Sequence, residues 1–506
     1  MRALISVYDK TGILPLAKFL EGEHWQIIST GGTAEHLRKN GISVTDLSEI
    51  TKFSECLDGR VKTLHPAIHA GILARRNDKA HMETLHKLKL QTIDLVAVNL
   101  YPFFEKVSQD LAHDEKIEFI DIGGPTMLRA AAKNYHDVIV VSEPADYERV
   151  INGLKNGHVD DALRRHLAGK VFNLMSAYDA SVAHFLLQED FPQFFTPRLR
   201  KAAPLRYGEN AHQKAALYVN VDFPGAFGGM TQLGGKEMGY NNIRDLDLSW
   251  KAVCSFDEPC CVSVKHNTPC GIALGATASS AFSKALSCDP VSIFGGIVAF
   301  NQKIDVETAV KLSELFLEIV VAPDFEPQAL EILKKKKNLR IIEAKTQAKE
   351  VLETVSIDGG LLVQETNRTL YEKWDVVSEK KPDPNDIPDM IFGIKAVAWV
   401  KSNAILLVKD RAAIGIGGGE TNRIWAAESA LKRAARTVVA SDDPSPARVL
   451  ASDAFFPFPD VVEAAAEAGV KAIIQSGGSA NDNASIDACN KAGIAMVFSG
   501  TRYFKH

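Results

Sequence analysis

The chain has 506 residues, of which 46% are hydrophobic and 24% charged, a composition typical of globular proteins with several domains. Its 58 basic and 63 acidic residues give a net charge of −5, which argues against binding to nucleic acid or to an anionic membrane surface. Seven cysteines without a CxxC pair argue against a disulfide framework or a structural zinc site. We find no secretory leader and no stretch of about 18 apolar residues, so we expect a cytoplasmic protein.

The first 150 residues alternate β-branched runs with amphipathic segments. Strands are predicted at Ala3–Val7, Trp25–Ser29, Leu95–Leu100 and Asp137–Val141. Helices are predicted at Leu14–Leu20, Ala34–Lys39, Thr126–Asn134 and Tyr147–Leu154. This alternation predicts an α/β domain with a parallel sheet covered by helices on both faces. Ligands of such sheets bind at the carboxyl ends of the strands.

A domain boundary is expected after a long helical stretch. Asp161–Leu187 has helical character and is predicted to form one helix or two. The following segment, 190–204, holds three prolines and shows no periodicity. We therefore expect one domain at 1–197, with a core at about 1–145, and a second at 198–506. In the second domain the sequence of Val264–Asn267 is echoed at Val400–Asn403, which predicts an internal duplication.

Two segments of the first domain have the character of a phosphate site. Ser29–Thr33 ends a strand and opens a helix, where free N–H groups and the helix dipole suit an anion; a plain tight turn is the alternative. Arg60 and Lys62 would share one face of a strand, as a cationic site or as a solvated edge. His65 and His69 have the spacing of metal ligands on a helix, but the proline between them and the lack of a third ligand argue against a metal.

Three polar residues follow or precede elements near the expected ligand edge. Asn99 and Tyr101 come directly after a predicted strand, and Asp121 precedes a Gly-Gly turn. These side chains suit proton transfer and carbonyl polarisation. They are also common turn residues, so they do not define a reaction by themselves.

Five segments of the first domain nevertheless carry a specific resemblance: SVYDKTG (6–12), STGGTA (29–34), GRVKTLHPAIHAGILAR (59–75), NLYPF (99–103) and DIGGPTMLRAAAKN (121–134). They resemble the inosine monophosphate (IMP) cyclohydrolase domain that opens the bifunctional purine-biosynthesis family. The resemblance implies a methylglyoxal-synthase-like domain. It implies catalytic roles for Lys62, Tyr101, Asp121 and Lys133, and substrate binding by Ser6, Lys10, Thr30, Gly31, Gly32, Thr33, Arg60, Thr63 and Asn99. Lys133 would lie about 12 Å along a helix that starts at Pro125, so its assignment rests on the resemblance.

Segments along the second domain resemble the other half of the same family. They are LRYGENAHQ (205–213), KHNTPCG (265–271), FGGIVAF (294–300), IVVAPDFEP (319–327), SDAFFPFPD (452–460) and FSGTRYFKH (498–506). In the family this half is phosphoribosylaminoimidazolecarboxamide (AICAR) formyltransferase, and the resemblance implies a larger α/β domain of two duplicated cytidine-deaminase-like subdomains. Ala211, Thr268 and Ser476 depart from the usual family residues.

The pair Lys265 and His266 suits formyl transfer. The acceptor amine on an aminoimidazole is a poor nucleophile, so a base must remove its proton as the carbon–nitrogen bond forms. His266 is the candidate base, with Lys265 donating a proton or stabilising the tetrahedral oxygen. Adjacent residues on a strand face opposite ways, so the two side chains converge only at a strand end or turn. A surface lysine beside a structural histidine is the alternative.

The resemblance implies further site residues and a complete activity. It places Asn403 beside Lys265 and His266. It implies nucleotide binding by Arg206, Tyr207, Gly295, Gly296, Glu318, Arg423, Arg502 and Phe504, and folate binding by Asp453, Phe455, Phe456, Gly477 and Gly478. The implied reactions are formyl transfer from 10-formyltetrahydrofolate to AICAR ribonucleotide and then dehydrative closure to IMP. A homodimer without a metal requirement is expected, with a bound monovalent cation left open, and with neither nucleic acid nor membrane as a partner.

Two other functions are alternatives for a sequence of this kind. Domains like the first also occur in methylglyoxal synthase and as allosteric modules of carbamoyl-phosphate synthetase, so a regulatory nucleotide sensor is an alternative. A sensor needs phosphate contacts but no proton donors, and Lys62, Tyr101, Asp121 and Lys133 together favour the enzyme. A non-enzymatic scaffold would leave the polar motifs without a role.

Overall fold

The parallel sheet predicted for the N-terminal part is present in the computed structural model, which describes residues 1–57, 59–223, 225–348, 351–440 and 447–506, with the backbone alone at 438–440. The chain divides into two units. Unit 1 comprises Met1–Arg200 together with Asn220–Phe223, and unit 2 comprises the rest of the described chain. Among these residues no helix combines the length and the apolar character that crossing a bilayer requires.

The strands of unit 1, among its described residues, are β1 (Arg2–Ser6), β2 (Gln26–Ser29), β3 (Thr45–Asp46), β4 (Leu95–Val98) and β5 (Ile139–Val141). Its helices are α1 (Ile13–Gly22), α2 (Gly31–Lys39), α3 (Leu47–Thr51), α4 (Pro66–Leu73), α5 (Lys79–Lys87), α6 (Phe103–Val107), α7 (His113–Ile117), α8 (Gly123–Lys133), α9 (Tyr147–Lys155) and α10 (Asp161–Leu187).

The five strands pair in parallel in the order β3-β2-β1-β4-β5. This confirms the predicted fold class. The fully buried Leu4 and Ile5 of β1 pack in a core with the apolar stripe of α1, which repeats at helical spacing. Strand order reverses between β1 and β4, and the carboxyl ends of the strands at such a reversal form the usual ligand crevice. The stretch at 161–187 is a single helix of 27 residues.

Unit 1 is not continuous in sequence. The Ser181 hydroxyl on α10 donates a 2.8 Å hydrogen bond to the Asp222 carboxylate, which also pairs with the Arg198 guanidinium. Ser181 is 1% exposed and Asp222 9% exposed. The short segment Asn220–Phe223 therefore completes unit 1 after the chain has already begun unit 2.

The described strands that follow are β6 (Leu199–Leu205), β7 (Ala215–Asn220), β8 (Met230–Gly234), β9 (Cys260–Lys265), β10 (Thr268–Leu274), β11 (Ile297–Phe300), β12 (Ile319–Ala322), β13 (Arg340–Ala344), β14 (Leu352–Ile357), β15 (Gly360–Glu365), β16 (Asp375–Val376), β17 (Ile405–Lys409), β18 (Ala412–Gly417), β19 (Val449–Ser452), β20 (Ala472–Gln475) and β21 (Ala495–Phe498). The helices are α11 (Gly225–Gly228), α12 (Tyr240–Val253), α13 (Ala278–Cys288), α14 (Val306–Ser313), α15 (Pro327–Lys334), α16 (Ile387–Val397), α17 (Arg423–Ala440), α18 (Asp460–Glu467) and α19 (Asp482–Ala492).

Unit 2 is an internal repeat. Its large sheet has the order β16-β21-β20-β19-β17-β18-β10-β9-β11-β12-β13-β8. Read outward from the centre, β10-β9-β11-β12-β13 and β18-β17-β19-β20-β21 follow the same order, and each half has four helices at equivalent places, α12–α15 and α16–α19. β10 and β18 pair antiparallel at the centre. Equivalent features of the two halves therefore lie at opposite ends of the strands. We call each of these two rows of strand ends an edge of the sheet.

The duplication was predicted, but the sequence echo that suggested it was out of register. The β9–β10 turn is His266–Asn267, and its structural counterpart is the β17–β18 turn, Asp410–Arg411. Val400–Asn403 precedes β17 instead of ending a strand. All four turn residues have φ between 50° and 56°, as two-residue hairpin turns require. The two turns therefore share their backbone conformation and not their residues.

Candidate active sites

Asn99, directly after β4, holds the loop that follows β1. Its Oδ1 accepts hydrogen bonds from the backbone N–H groups of Tyr8 (2.6 Å) and Asp9 (3.1 Å), and its Nδ2 donates to the carbonyl of Asp9 (2.8 Å). The Tyr8 and Tyr101 rings meet edge to face at 5.5 Å. The Asn99 amide thus connects the two loops at the strand reversal, beside a Tyr101 ring that is 40% exposed.

The start of α2 faces open space. A Cβ added at Gly31 or at Gly32 would meet no atom within 4 Å, so the first N–H groups of this helix are accessible to an anion. Thr33 Oγ1 accepts from Val7 N (3.1 Å) and donates to Val7 O (2.9 Å), which ties α2 to the loop after β1. The register of β1 and β2 makes Ser6 and Thr30 neighbours at the same edge. The Lys10 ammonium donates to Tyr8 O at 3.3 Å.

Asp121 is the centre of a partly buried polar group. Its carboxylate accepts from Gly124 N at 2.9 Å, and its own N–H donates to the Tyr178 hydroxyl at 2.7 Å. Burial raises the pKa of Asp121, while the N–H groups of Gly124 and Tyr101 and the charge of Lys62 act in the opposite direction. Lys62 and the backbone of Tyr101 are therefore close enough to Asp121 to act on its carboxylate. Sequence reasoning missed Tyr178, which α10 contributes from 57 residues away.

Two glycines allow this close arrangement. A Cβ at Gly124 would collide with the Asp121 carboxylate, and a Cβ at Gly123 would collide with Thr63 Oγ1. Thr63 is 4% exposed and follows Lys62 directly. The start of α8 therefore packs directly against the Thr63 side chain, and only a residue without a Cβ fits at Gly123.

Two predicted residues of this site lie apart from Asp121 or are paired elsewhere. The exposed Arg60 guanidinium forms an ion pair with the Glu118 carboxylate. Lys133 is exposed and ends α8, whose 11 residues separate it from Gly123 by about 15 Å along the axis. The roles of Arg60 and Lys133 stay predictions.

The two histidines weighed as metal ligands have other surroundings. His65 precedes α4, and its Nδ1 accepts from Ala67 N at 3.1 Å, so it caps that helix. Burial lowers the pKa of His69, which favours its neutral form. In the part of the chain that the structure describes, no three His, Cys, Asp or Glu side chains are grouped to hold a metal ion.

In unit 2, one edge of the large sheet collects predicted residues from both halves. The first half contributes the β9–β10 turn and the starts of β11 and β12, because β9 runs antiparallel to β11. The second half contributes the start of β17 and the ends of β19 and β20. This edge carries Lys265, His266, Gly295, Gly296, Glu318, Asn403, Asp453, Gly477 and Gly478.

Lys265 and His266 line one cavity of about 180 Å³, together with Asp289 and Arg433. His266 is the first residue of the turn and has φ 54°, so it does not follow the side-chain alternation of β9. The Lys265 ammonium donates to Phe294 O at 2.7 Å. Both residues of the pair thus lie at one cavity, and their role in formyl transfer stays a prediction.

Beside this pair, Gly295 and Gly296 form a turn with little room. Gly295 has φ 73° and donates its N–H to Phe316 O at 2.7 Å. A Cβ at Gly296 would lie 2.9 Å from the Val264 carbonyl oxygen of β9. Glu318, which donates its N–H to Gly296 O at 2.9 Å, pairs through its carboxylate with the buried Arg340 at 2.5 Å.

Arg423 and Asp453 form a buried ion pair. Arg423 donates through Nη1 to Ser452 Oγ (2.9 Å) and to the Asp453 carboxylate, and through Nη2 to Asn403 Oδ1 (2.7 Å). The other Asp453 oxygen accepts from Ser402 Oγ at 2.5 Å. Asp453 is 0% exposed and Arg423 6% exposed. These two side chains, expected to bind folate and nucleotide, contact each other, and Arg423 also contacts Asn403.

The predicted aromatic and glycine contacts differ in exposure. Phe456 is fully buried in the core of the second half, so its ring packs against the protein, whereas Phe455 is half-buried. Arg502 lies over the exposed Phe504 ring at 4.5 Å, and Arg206 over Tyr207 at 5.8 Å. In each pair the guanidinium is attracted by the electron-rich face of the ring. A Cβ at Gly477 would lie 2.6 Å from the Phe498 ring, whereas Gly478 has open space around it.

Comparison with known proteins gives concordant matches. A family model described as "AICARFT/IMPCHase bienzyme" matches residues 131–433, and a model described as "MGS-like domain" matches residues 12–126. The Bifunctional purine biosynthesis protein PurH of Clostridium botulinum (strain Kyoto) is 56% identical over 506 residues, 100% of this chain and 99% of that protein. PurH of Clostridium perfringens (strain 13) is 56% identical over 510 residues, with the same coverage. A structure titled "Crystal structure of ForH" is 37% identical over 37% of this chain and 97% of its own, with a TM-score of 0.34.

Proposed function

Because this chain belongs to the AICARFT/IMPCHase family and catalyses the last two steps of IMP synthesis, we propose that unit 2 transfers the formyl group and unit 1 closes the ring. The formyl donor is 10-formyltetrahydrofolate and the acceptor is the amine of AICAR ribonucleotide. The observation that supports this division is the presence of two separate polar centres, the group around Asp121 in unit 1 and the edge with Lys265 and His266 in unit 2.

In formyl transfer, the amine nitrogen bonds to the formyl carbon and the bond from that carbon to the folate nitrogen breaks. His266 accepts the amine proton, and the folate nitrogen takes up a proton as it leaves. The Lys265 ammonium stabilises the negative charge on the tetrahedral oxygen. The cavity lined by both residues supports these roles.

We assign Arg423 and Asp453 a positioning role. Both are buried and paired with each other, and Arg423 donates to the Asn403 amide oxygen at 2.7 Å. Asn403 Nδ2 donates one hydrogen bond to Glu420 O at 2.9 Å, so both ends of its amide group are oriented by the protein. The pair thus fixes Asn403 at the edge shared with His266, and a direct contact of Asp453 with the pterin is not required.

In ring closure, the carboxamide nitrogen attacks the formyl carbon, and water leaves the resulting carbinolamine. Asp121 and Lys62 perform the proton transfers, and Tyr101 with nearby N–H groups supports the transient oxyanion. A carboxyl of raised pKa next to a lysine is typical of acid–base catalysis. It is not needed by a nucleotide sensor, so the enzyme is favoured over a regulatory module.

The assignment of ring closure to unit 1 is tested with fragments of the chain. The fragment 1–223 keeps the contacts of Asp222 with Ser181 and Arg198, whereas 1–197 loses them. We expect both to cyclise formyl-AICAR without folate, and the longer one to be more stable by about 1–3 kcal/mol, since the shorter leaves the buried Ser181 hydroxyl without its partner. Product formation and urea unfolding measure the two quantities. Ring closure by the intact chain but by neither folded fragment would contradict the assignment of the first site.

We propose that the chain works as a cytoplasmic homodimer. Its seven cysteines are free thiols, as in a reducing compartment. The two-stranded sheet β14–β15 exposes Val355, Ile357 and Leu362, and an isolated hairpin of this kind is marginal in water. A second copy of the chain is the proposed cover. Sedimentation equilibrium should give a dimer, and Leu362→Lys should shift it toward monomer; an unchanged mass for the variant would exclude this hairpin from the interface.

A further inference from the structure

Asp245, on α12, holds the backbone of the turn that carries His266. Its two carboxylate oxygens accept hydrogen bonds from His266 N at 3.2 Å and from Asn267 N at 2.6 Å. Both turn residues have a left-handed backbone, with φ 54° and 56°. Residues other than glycine adopt this backbone conformation at a cost in free energy. The hydrogen bonds to Asp245 help to offset that cost.

The second half of the repeat contains the same device. Asp389, on α16, accepts from Asp410 N at 3.0 Å and from Arg411 N at 2.6 Å, and these two turn residues have φ 50° and 54°. In each half of the repeat, an aspartate carboxylate on a helix therefore supports the hairpin turn. The first turn carries Lys265 and His266, whereas the second lies at the opposite edge of the sheet, away from the proposed transferase site.

We propose that Asp245 is a positioning residue for formyl transfer, which directs the His266 imidazole and the Lys265 ammonium toward one substrate by fixing the backbone between them. The proposal rests on the role assigned to His266 above. Hydrogen bonds to a carboxylate are stronger than bonds to a neutral acceptor, and two of them define the orientation of consecutive peptide groups.

The expected effect follows from the geometry of neighbouring residues. Lys265 ends a strand and His266 begins the turn, so a rotation of the peptide between them moves one side chain relative to the other. A displacement of about 1 Å at a reacting group costs on the order of 10²-fold in rate. Burial raises the pKa of Asp245, and the N–H groups of Asn267 and His266 together with the charges of His266 and Arg244 oppose this shift. Protonation at low pH would replace one acceptor by a donor and weaken the support of the turn.

The experiment compares Asp245→Asn with Asp389→Asn in the intact chain. Each change replaces one carboxylate oxygen by an amide NH2 group, which cannot accept a hydrogen bond from the turn. For Asp245→Asn we expect kcat of formyl transfer to fall about 10- to 100-fold, with KM for AICAR ribonucleotide within about threefold because uniform binding is retained. For Asp389→Asn we expect formyl transfer at the parental rate. Its loss of unfolding free energy should be similar to that of Asp245→Asn. Closure of formyl-AICAR should be unchanged in both.

Asp245→Glu is the conservative variant, because it keeps a charged acceptor on a longer stem. Transfer should be faster with Glu than with Asn at position 245. Equal rates for these two folded variants, or a parental kcat for Asp245→Asn, would overturn the proposal. Binding of AICAR ribonucleotide, measured by calorimetry, shows which variants are folded. His266→Ala, assayed in parallel, separates the catalytic role of His266 from the positioning role of Asp245. A loss of formyl transfer in His266→Ala without a loss in Asp245→Asn refutes the positioning role alone.

Discussion

Replacement of His266 by alanine should lower formyl transfer by about 10²- to 10⁴-fold, the usual contribution of a positioned acid–base group. The amine of AICAR must lose its proton as the new bond forms, and His266 is the proposed acceptor. Lys265→Ala should be similarly damaging, because its ammonium is the proposed partner of the tetrahedral oxygen. The rate of tetrahydrofolate release from 10-formyltetrahydrofolate in the presence of AICAR ribonucleotide measures both effects.

The chain offers a matched control for this experiment. Asp410 is the structural counterpart of His266 and has a similar left-handed backbone, so Asp410→Ala makes the same kind of backbone change at the opposite edge of the sheet. We expect this variant to transfer the formyl group normally, and all three variants to cyclise pre-formed formyl-AICAR. Near-parental transfer by a folded His266→Ala variant would rule out the role of general base.

Changes at Lys62 or Asp121 should produce the opposite pattern. Lys62→Ala or Asp121→Asn removes a group proposed for proton transfer, so ring closure should slow by about 10²- to 10⁴-fold while formyl transfer continues and formyl-AICAR accumulates. The ratio of this intermediate to IMP is the measurement. Asp121→Asn keeps an oxygen that can accept from Gly124 N, so the turn that precedes α8 is preserved.

The pH dependence of ring closure gives a second readout. If the Asp121 carboxylate is the active form, the rate falls as the pH falls through its pKa. Burial raises this pKa, so the decline begins at a higher pH than for an ordinary carboxyl group. Asp121→Asn should abolish this acid limb. A variant at Lys62 or Asp121 that closes the ring at the parental rate would reduce that residue to a phosphate contact or a turn former.

Sequence periodicity predicted the regular parts of the fold. In unit 1, β1, β2, β4 and β5 lie within three residues of their predicted bounds, because buried β-branched runs are a strong signal. Strand β3 has two residues and helices α3, α6 and α7 have five each, which is too short for a detectable period. The family resemblance is confirmed by the matches over the full chain.

The site was predictable where a motif carries the residue and not where a distant partner holds it. Local motifs pointed to Asp121 and His266, and the family resemblance to Asn403, but Tyr178 and Asp245 reach Asp121 and His266 from 57 and 21 residues away. The pairing of Arg423 with Asp453 across 30 residues was not visible either. Contacts of this kind depend on the order of strands in the sheet, which a single sequence does not specify.

The discontinuous course of unit 1 has a consequence for its synthesis on the ribosome. Domains near the amino terminus generally fold while the rest of the chain is still being made. Here the Ser181 and Arg198 side chains meet Asp222 only after the hairpin of β6 and β7 has been translated. The Ser181 hydroxyl on α10 and the Arg198 guanidinium therefore lack their Asp222 partner until residues 220–223 emerge. These native contacts of the first unit form when translation of the second unit is already under way.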